Sequence, residues 1–139
     1  MEYRVFDDTV VVRLDKGDCV VQSLLSVASR EGITLATVQG IGAVDLLDVG
    51  VFDLEQGDYN RLQYTRNHEI NAIVGNLTTK DGAPYAHLHI TATNDAGMVV
   101  GGHLFEGRVS LTAELFVRRI AGKVERQYDD VLGINRLHF

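Results

Sequence analysis

Between Thr9 and Leu14 the chain is rich in valine and reads as a strand, and Asp15-Lys16-Gly17-Asp18 behind it supplies turn residues and a candidate helix N-cap. From Cys19 to Arg30 the apolar residues Val20, Val21, Leu24, Leu25, Val27 and Ala28 recur at three- and four-residue spacing, which predicts a helix stopped by Gly32 at its C′ position. Past Gly32 the pattern changes to short β-rich runs: Ile33–Val38, Ala43–Asp53, Leu62–Thr65, Glu69–Leu77, Tyr85–Thr93, Met98–Phe105 and Val109–Val117. Residues 54–60 and 78–84 have loop composition. So many strands with so little room for crossover helices predict antiparallel pairing, because parallel neighbours need a dozen or more connecting residues. The fold class is therefore α+β: one domain over residues 1–139, with a large, mainly antiparallel sheet packed against one main helix. Its core spans about residues 9–119 and its tail 120–139, where Val131, Leu132, Ile134, Leu137 and Phe139 either dock or leave a partly ordered end.

The alternation along the last three runs distributes side chains between two faces. A turn centred on Asp95 sets His87 opposite His103 and His89 opposite Gly101, about 5 Å apart at Cβ. A second turn at Glu106-Gly107 sets Ser110 opposite His103, Thr112 opposite Gly101 and Glu114 opposite Val99. Leu88, Ile90, Val100, Leu104, Val109, Leu111, Ala113, Leu115 and Val117 then form a continuous apolar underside for the helix. A slip of one residue would send His103 away from the other two histidines, so the apolar pattern selects an even offset.

Composition and charge narrow the functions. With 45% hydrophobic and 23% charged residues the chain has the makeup of a packed globule, and 139 residues suffice for one core. A formal charge of −6 with no Lys/Arg cluster disfavours unaided nucleic-acid binding. The N-terminus has no basic stretch followed by an apolar one, and no run of eighteen apolar residues occurs, so the chain reads as cytoplasmic and without a membrane span. Cys19 is the sole cysteine, which excludes an intrachain disulfide, and its apolar setting points to an inert thiol.

Within that frame His87, His89 and His103 stand out as a metal site. An i, i+2 pair on a strand points one way, imidazole is the commonest ligand for zinc-type ions, and three ligands leave one position for water or an anion. Zinc is the preferred ion, although Ni²⁺, Cu²⁺, Co²⁺ and Fe²⁺ also accept imidazole. Such a site needs cover, from the loop Asp81–Pro84 or from another subunit. Glu69 is a candidate base and, with Glu114, a candidate partner behind the ligands. His68 reads as solvent-facing. Gly75-Asn76 reads as a strand end, its asparagine either turning the backbone or bonding near the metal. Gly40-Ile41-Gly42 resembles the start of a dinucleotide fingerprint, but Asp45 stands at the third glycine position and a strand follows, so these glycines serve a bend or a close backbone approach.

Gly40-Ile41-Gly42-Ala43, Glu69 with Gly75-Asn76, His87-Leu88-His89, Gly101-Gly102-His103 and Thr112-Ala113-Glu114, in this order over about Val12 to Arg119, resemble the plant and prokaryote conserved (PPC) domain family, which in plants follows AT-hook DNA-binding motifs. The resemblance implies an α+β domain that assembles as a homotrimer, with a histidine-bound metal at the subunit contact in prokaryotic single-domain members. DNA binding is a family label. This chain has no Arg-Gly-Arg-Pro core and one proline, which sets it apart from minor-groove readers.

The expected function is a homotrimeric module that binds a divalent ion, zinc by preference, at His87, His89 and His103, with a small anion at the free position. One alternative is a zinc-dependent hydrolase or lyase acting on a small anionic substrate, with Glu69, or less favourably Glu114, as base. Another is a transcription-associated protein that meets DNA through a protein partner or, weakly, by itself.

Overall fold

A computed structural model describes residues 1–139. The elements run β1 (Glu2–Phe6), β2 (Thr9–Asp15), α1 (Val20–Arg30), β3 (Ala36–Asp53), β4 (Asp58–Tyr64), β5 (His68–Lys80), β6 (Ala83–Asn94), β7 (Val99–Arg119), β8 (Glu125–Asp129) and β9 (Ile134–His138). All strands join one sheet, antiparallel except for a single parallel bridge, Thr79 to Glu125, between β5 and β8. Because β6 pairs both β5 and β7, and β3 also pairs both, the four close a ring: β3–β5–β6–β7. This is the expected α+β domain with one main helix. No helix is long and apolar enough to cross a membrane.

The helix is built as its sequence predicts at one end and differently at the other. Gly32, with φ +60°, follows the last turn, and the Ile33 N–H donates to the Ala28 carbonyl at 2.9 Å, which closes the C-terminus. At the N-terminus the cap residue is Cys19, which makes no side-chain cap; Asp18 instead accepts the Asp15 N–H at 2.8 Å. The free helix donors are met from β7: Glu106 accepts from Val21 N–H at 2.9 Å and Gln22 N–H at 3.3 Å. Val20, Leu24, Val27 and Ala28 face a core of 24 buried residues that includes Val10, Val12 and Leu14 of β2, Leu88 and Ile90 of β6 and Leu115 and Val117 of β7.

Several expected boundaries change. The runs Ile33–Val38 and Ala43–Asp53 are one strand, β3, bent by a bulge at Gly42, where φ is +154° and a Cβ would stand 2.5 Å from the Ala113 Cα; this is the close approach inferred for these glycines. Likewise Met98–Phe105 and Val109–Val117 are one strand, β7, and the expected turn at Glu106-Gly107 does not exist: Glu106 pairs Asp48 and Gly107 pairs Leu47. What looked like a turn is a register shift. Val49 pairs Leu104 while Asp48 pairs Glu106, leaving Phe105 as the extra residue, so the buried positions change from even to odd without reversing the chain. Ser110, Thr112 and Glu114 accordingly do not face the histidine segment, and Leu111 is exposed rather than part of the underside. β1 lies ahead of the expected core, paired to β2. The presumed loop 78–84 shrinks to a two-residue turn, Asp81-Gly82, with φ +52° and +78°. The tail docks, as the hairpin β8–β9.

Candidate metal centre

His87 and His89 stand two residues apart on β6 and share a face, while Leu88 and Ile90 between and beyond them go into the core. His103 on β7 lies directly opposite His89, not opposite His87 as expected, and Gly101 faces Thr91. The reason is the connection. Thr93 pairs Val99, and Asn94 Oδ1 accepts from the Ala96 and Met98 N–H groups, so the turn is centred on Ala96 and the register moves by two residues. An even shift preserves the face, and all three imidazoles converge. Their ring centroids are 5.2, 5.3 and 5.7 Å apart, and one nitrogen from each lies within 4.8 Å of the others. Gly102, with φ +149° and no room for a Cβ, which would stand 2.6 Å from the Gly50 carbonyl oxygen, brings β7 against β3 beside His103.

The donor set suits a zinc-type ion. Three nitrogens bound tetrahedrally to one ion at about 2.1 Å lie roughly 3.4 Å apart, so the most widely spaced rings need close by about 1.4 Å, within reach of side-chain rotation. Burial pushes the His87 ring below its ordinary pKa, helped by the Arg126 and His89 charges; burial, then His87, His89 and Arg126, push His103 down to about 4. Both are therefore neutral, the ligating form, near pH 7. The buried His103 Nδ1 has no hydrogen-bond partner. His89 is exposed.

The two acids do not accompany the rings within the protomer. Glu69 pairs Thr93 and Ala43, and the residue opposite His89 is Val74, roughly 15 Å further along β5. Glu114 faces Ile41 and Arg13, with roughly 30 Å of strand between it and His103. His68 is buried, not solvent-facing: its Nδ1 lies 2.7 Å from the Arg66 carbonyl oxygen and its ring packs near Tyr64. Cys19 is half-buried, and desolvation raises its thiol pKa, in keeping with an inert group. Asn76 neither ends a strand nor turns the backbone, contrary to what its setting in the sequence suggests. It lies within β5, opposite His87, and its Oδ1 accepts from Arg126 at 2.8 Å.

Arg126 was not legible beforehand. It belongs to the docked hairpin and, although only 6% exposed, it reaches across β5: Nε donates to Thr78 Oγ1 at 3.0 Å, Nη1 to the Asn135 carbonyl at 3.0 Å, and Nη2 sits 3.4 Å from His87 Nδ1. The ring of Tyr85 underlies its guanidinium at 4.9 Å. With Gly133, Ile134 and Asn135 the hairpin covers a cavity of about 180 Å³ whose other walls are Tyr59, Tyr85, Phe105, His87 and His103. The chain's own C-terminal hairpin, and not the tight Asp81-Gly82 turn, thus covers the side of His87 and His103, while His89 stays open. Tyr59 and Phe105 each stand 5.0 Å from the His103 ring. No local pattern marks Arg126, because its burial arises only when residues 125–138 fold back.

The sequence profile of the Plants and Prokaryotes Conserved (PCC) domain matches residues 1–121. Among solved structures, the metal-containing protein of Archaeoglobus fulgidus is 32% identical with TM-score 0.89, the match covering 99% of this chain and 97% of that one. The plant- and prokaryote-conserved (PPC) protein of Pyrococcus horikoshii is 29% identical with TM-score 0.88, over 99% and 95%. A candidate DNA-binding protein of Bacteroides thetaiotaomicron is 25% identical with TM-score 0.96, over 99% and 96%. Among curated proteins, none matches the chain.

Proposed function

The chain belongs to the Plants and Prokaryotes Conserved (PCC) domain family, and from that premise we propose that it is a cytoplasmic, self-associating metal-binding module for a small anionic ligand. His87, His89 and His103 hold a divalent ion, zinc by preference. The observation that carries this reading is the convergence of three ring nitrogens within 4.8 Å in a group that no Asp or Glu joins. The metal-containing relative from Archaeoglobus fulgidus supports it. A bound ion of this type supplies a Lewis-acidic position for an anionic oxygen.

Self-association, as a homotrimer, draws support from the sheet's outer face. Phe116, Gln39, Val74 and His89 form one cross-strand row, with Phe116 42% and Val74 53% exposed, and Ile41 beside them is 57% exposed. Phe116, Gln39, Val74 and Ile41 border a groove of about 380 Å³, with His89 at the next position of the row. A second copy seated there removes apolar surface from water and brings protein up to His89. Sedimentation equilibrium should return three times the 15.3 kDa chain mass.

Metal analysis of protein purified without a polyhistidine tag should find about one ion per chain, reduced to background in His89→Ala. A wild-type chain that holds no ion after zinc addition overturns the reading. Hydrolase or lyase chemistry would have to draw its base from the substrate or a neighbouring copy, since Glu69 and Glu114 stand away from the rings. A transcription-associated role is favoured by the Bacteroides relative, and the charge of −6 directs that role to a protein partner rather than to DNA. A mobility shift on random duplex at low salt distinguishes the two, because direct phosphate contacts weaken as salt rises.

A further inference from the structure

The molecule contains two charged residues exposed by only 6%, and they are treated differently. Asp48 has a counter-ion, Arg61. Arg126 has none: its donors go to a hydroxyl, an amide oxygen and a backbone carbonyl, all neutral, and no carboxylate pairs with it. A buried guanidinium without an anion is costly. Its field nevertheless reaches both His87 and His103, where it disfavours a further positive charge. A divalent ion on the rings would make this corner more positive still, with no acid of the chain at hand.

Beside that corner lies the 180 Å³ cavity, smaller than the roughly 300 Å³ at which drug-sized pockets begin. One end is imidazole; the walls are the rings of Tyr59, Tyr85 and Phe105, with Ile134 above. Such walls present faces and edges but few N–H donors, which disfavours a tetrahedral dianion and favours one charged group on a flat apolar body.

We propose that this cavity receives a small carboxylate with a flat apolar body, its charged end toward His87 and His103 and its body among Tyr59, Tyr85 and Phe105 beneath Gly133–Asn135. The inference rests on the metal reading above and adds the ligand's chemical class and the segment that encloses it. Arg126 does not line the cavity. It is a positioning residue, which holds the hairpin through the Asn135 carbonyl, abuts His87, and supplies the field that the carboxylate neutralises. The family profile ends at residue 121, so this contribution comes from residues outside it.

The test is a titration of the zinc-loaded full-length chain with benzoate, benzamide and inorganic phosphate, followed by heteronuclear NMR, with zinc content measured on every sample. Benzoate should saturate, shift resonances of Tyr59, Phe105 and residues 133–135, and bind at least about tenfold more tightly than benzamide or phosphate. Arg126→Gln should weaken benzoate by about tenfold at unchanged zinc content. Ile134→Trp, which fills the cavity and leaves every charge in place, should abolish benzoate binding while zinc remains; it decides the matter if Arg126→Gln loosens the hairpin. A zinc-loaded chain that ignores benzoate, binds benzamide or phosphate equally well, or binds benzoate unchanged in Ile134→Trp overturns this inference alone. A wild-type chain that takes up no zinc overturns the metal reading and this inference with it.

Discussion

On the side of β6 and β7 that α1 covers, Leu88, Ile90, Leu104, Val109 and Leu115 are at most 3% exposed and lie within a single apolar core. On the other side the same strands carry His87, His89 and His103, the last with a ring nitrogen that has no partner, beside the guanidinium of Arg126 from β8, which has no anion close by, and an apolar row through β5 and β7 open to water. Strand alternation separates these environments by one residue. The helix side is complete within one chain; the histidine side has donors and surface left over for something else. The two sides should therefore respond in opposite ways to substitution.

The largest expected effect breaks the helix side. Leu115 is fully buried, and Leu115→Ala removes apolar contacts and leaves a cavity, costing about 3 kcal/mol in denaturant-induced unfolding. Zinc per folded chain should stay at the wild-type value. A large drop in zinc content at full folding would mean that the two sides are mechanically coupled and the comparison is wrong.

How far the chain announces this division depends on the range of the interactions involved. The helix, its glycine stop and the shared face of His87 and His89 follow from spacing along a few residues, and all were readable. The pairing of His103 was readable only as parity, because Asn94 centres the turn on Ala96, one residue later than Asp95, which moves the pairing by two. The continuity of β7 was hidden: a bulge at Phe105 changes alternation as a turn would, and only the long partner β3 distinguishes them. Asn76 and Arg126 were least accessible, since their roles exist only where β5, β6 and β8 meet.

The next effect separates paired from unpaired buried charge. Asp48 accepts from Arg61 and Gln63, and the Arg61 guanidinium holds its carboxyl below the usual range. Asp48→Ala should cost about 2 kcal/mol and leave zinc uptake intact. Because the folded pKa lies below the unfolded one, this contribution is present above the ordinary carboxylate range and fades as pH falls through the folded value. Unfolding curves at pH 7 and pH 3 should show the difference between wild type and variant shrinking.

On the histidine side the pH response occupies another window. His103 titrates near 6.5 when unfolded and about 4 when folded, so the folded state binds fewer protons between those values. The contribution of His103 to the stability of the chelated protein is full above pH 6.5, declines as pH falls towards 4, and levels off below. Allowing for the ring's partial exposure, the decline attributable to His103 is about 1–2 kcal/mol. His103→Ala should flatten this part of the curve and remove zinc uptake while preserving the fold, the reverse of Leu115→Ala. A variant whose decline matches wild type would show that the ring is not the group resisting protonation.

The smallest effect tests whether the bulge that ends the histidine segment also belongs to the helix side. Glu106 follows Phe105 directly, yet its carboxylate caps α1 by accepting from Val21 and Gln22, and Cys19 offers no cap of its own. Glu106→Ala leaves two helix donors without protein partners and removes a negative charge from the helix N-terminus, worth about 1 kcal/mol. Hydrogen exchange should accelerate at Val21 and Gln22 and stay unchanged at the amides of residues 87–89. If exchange also rose there, one residue's strain would be crossing the sheet, and the strands would not insulate the two sides as their alternation implies.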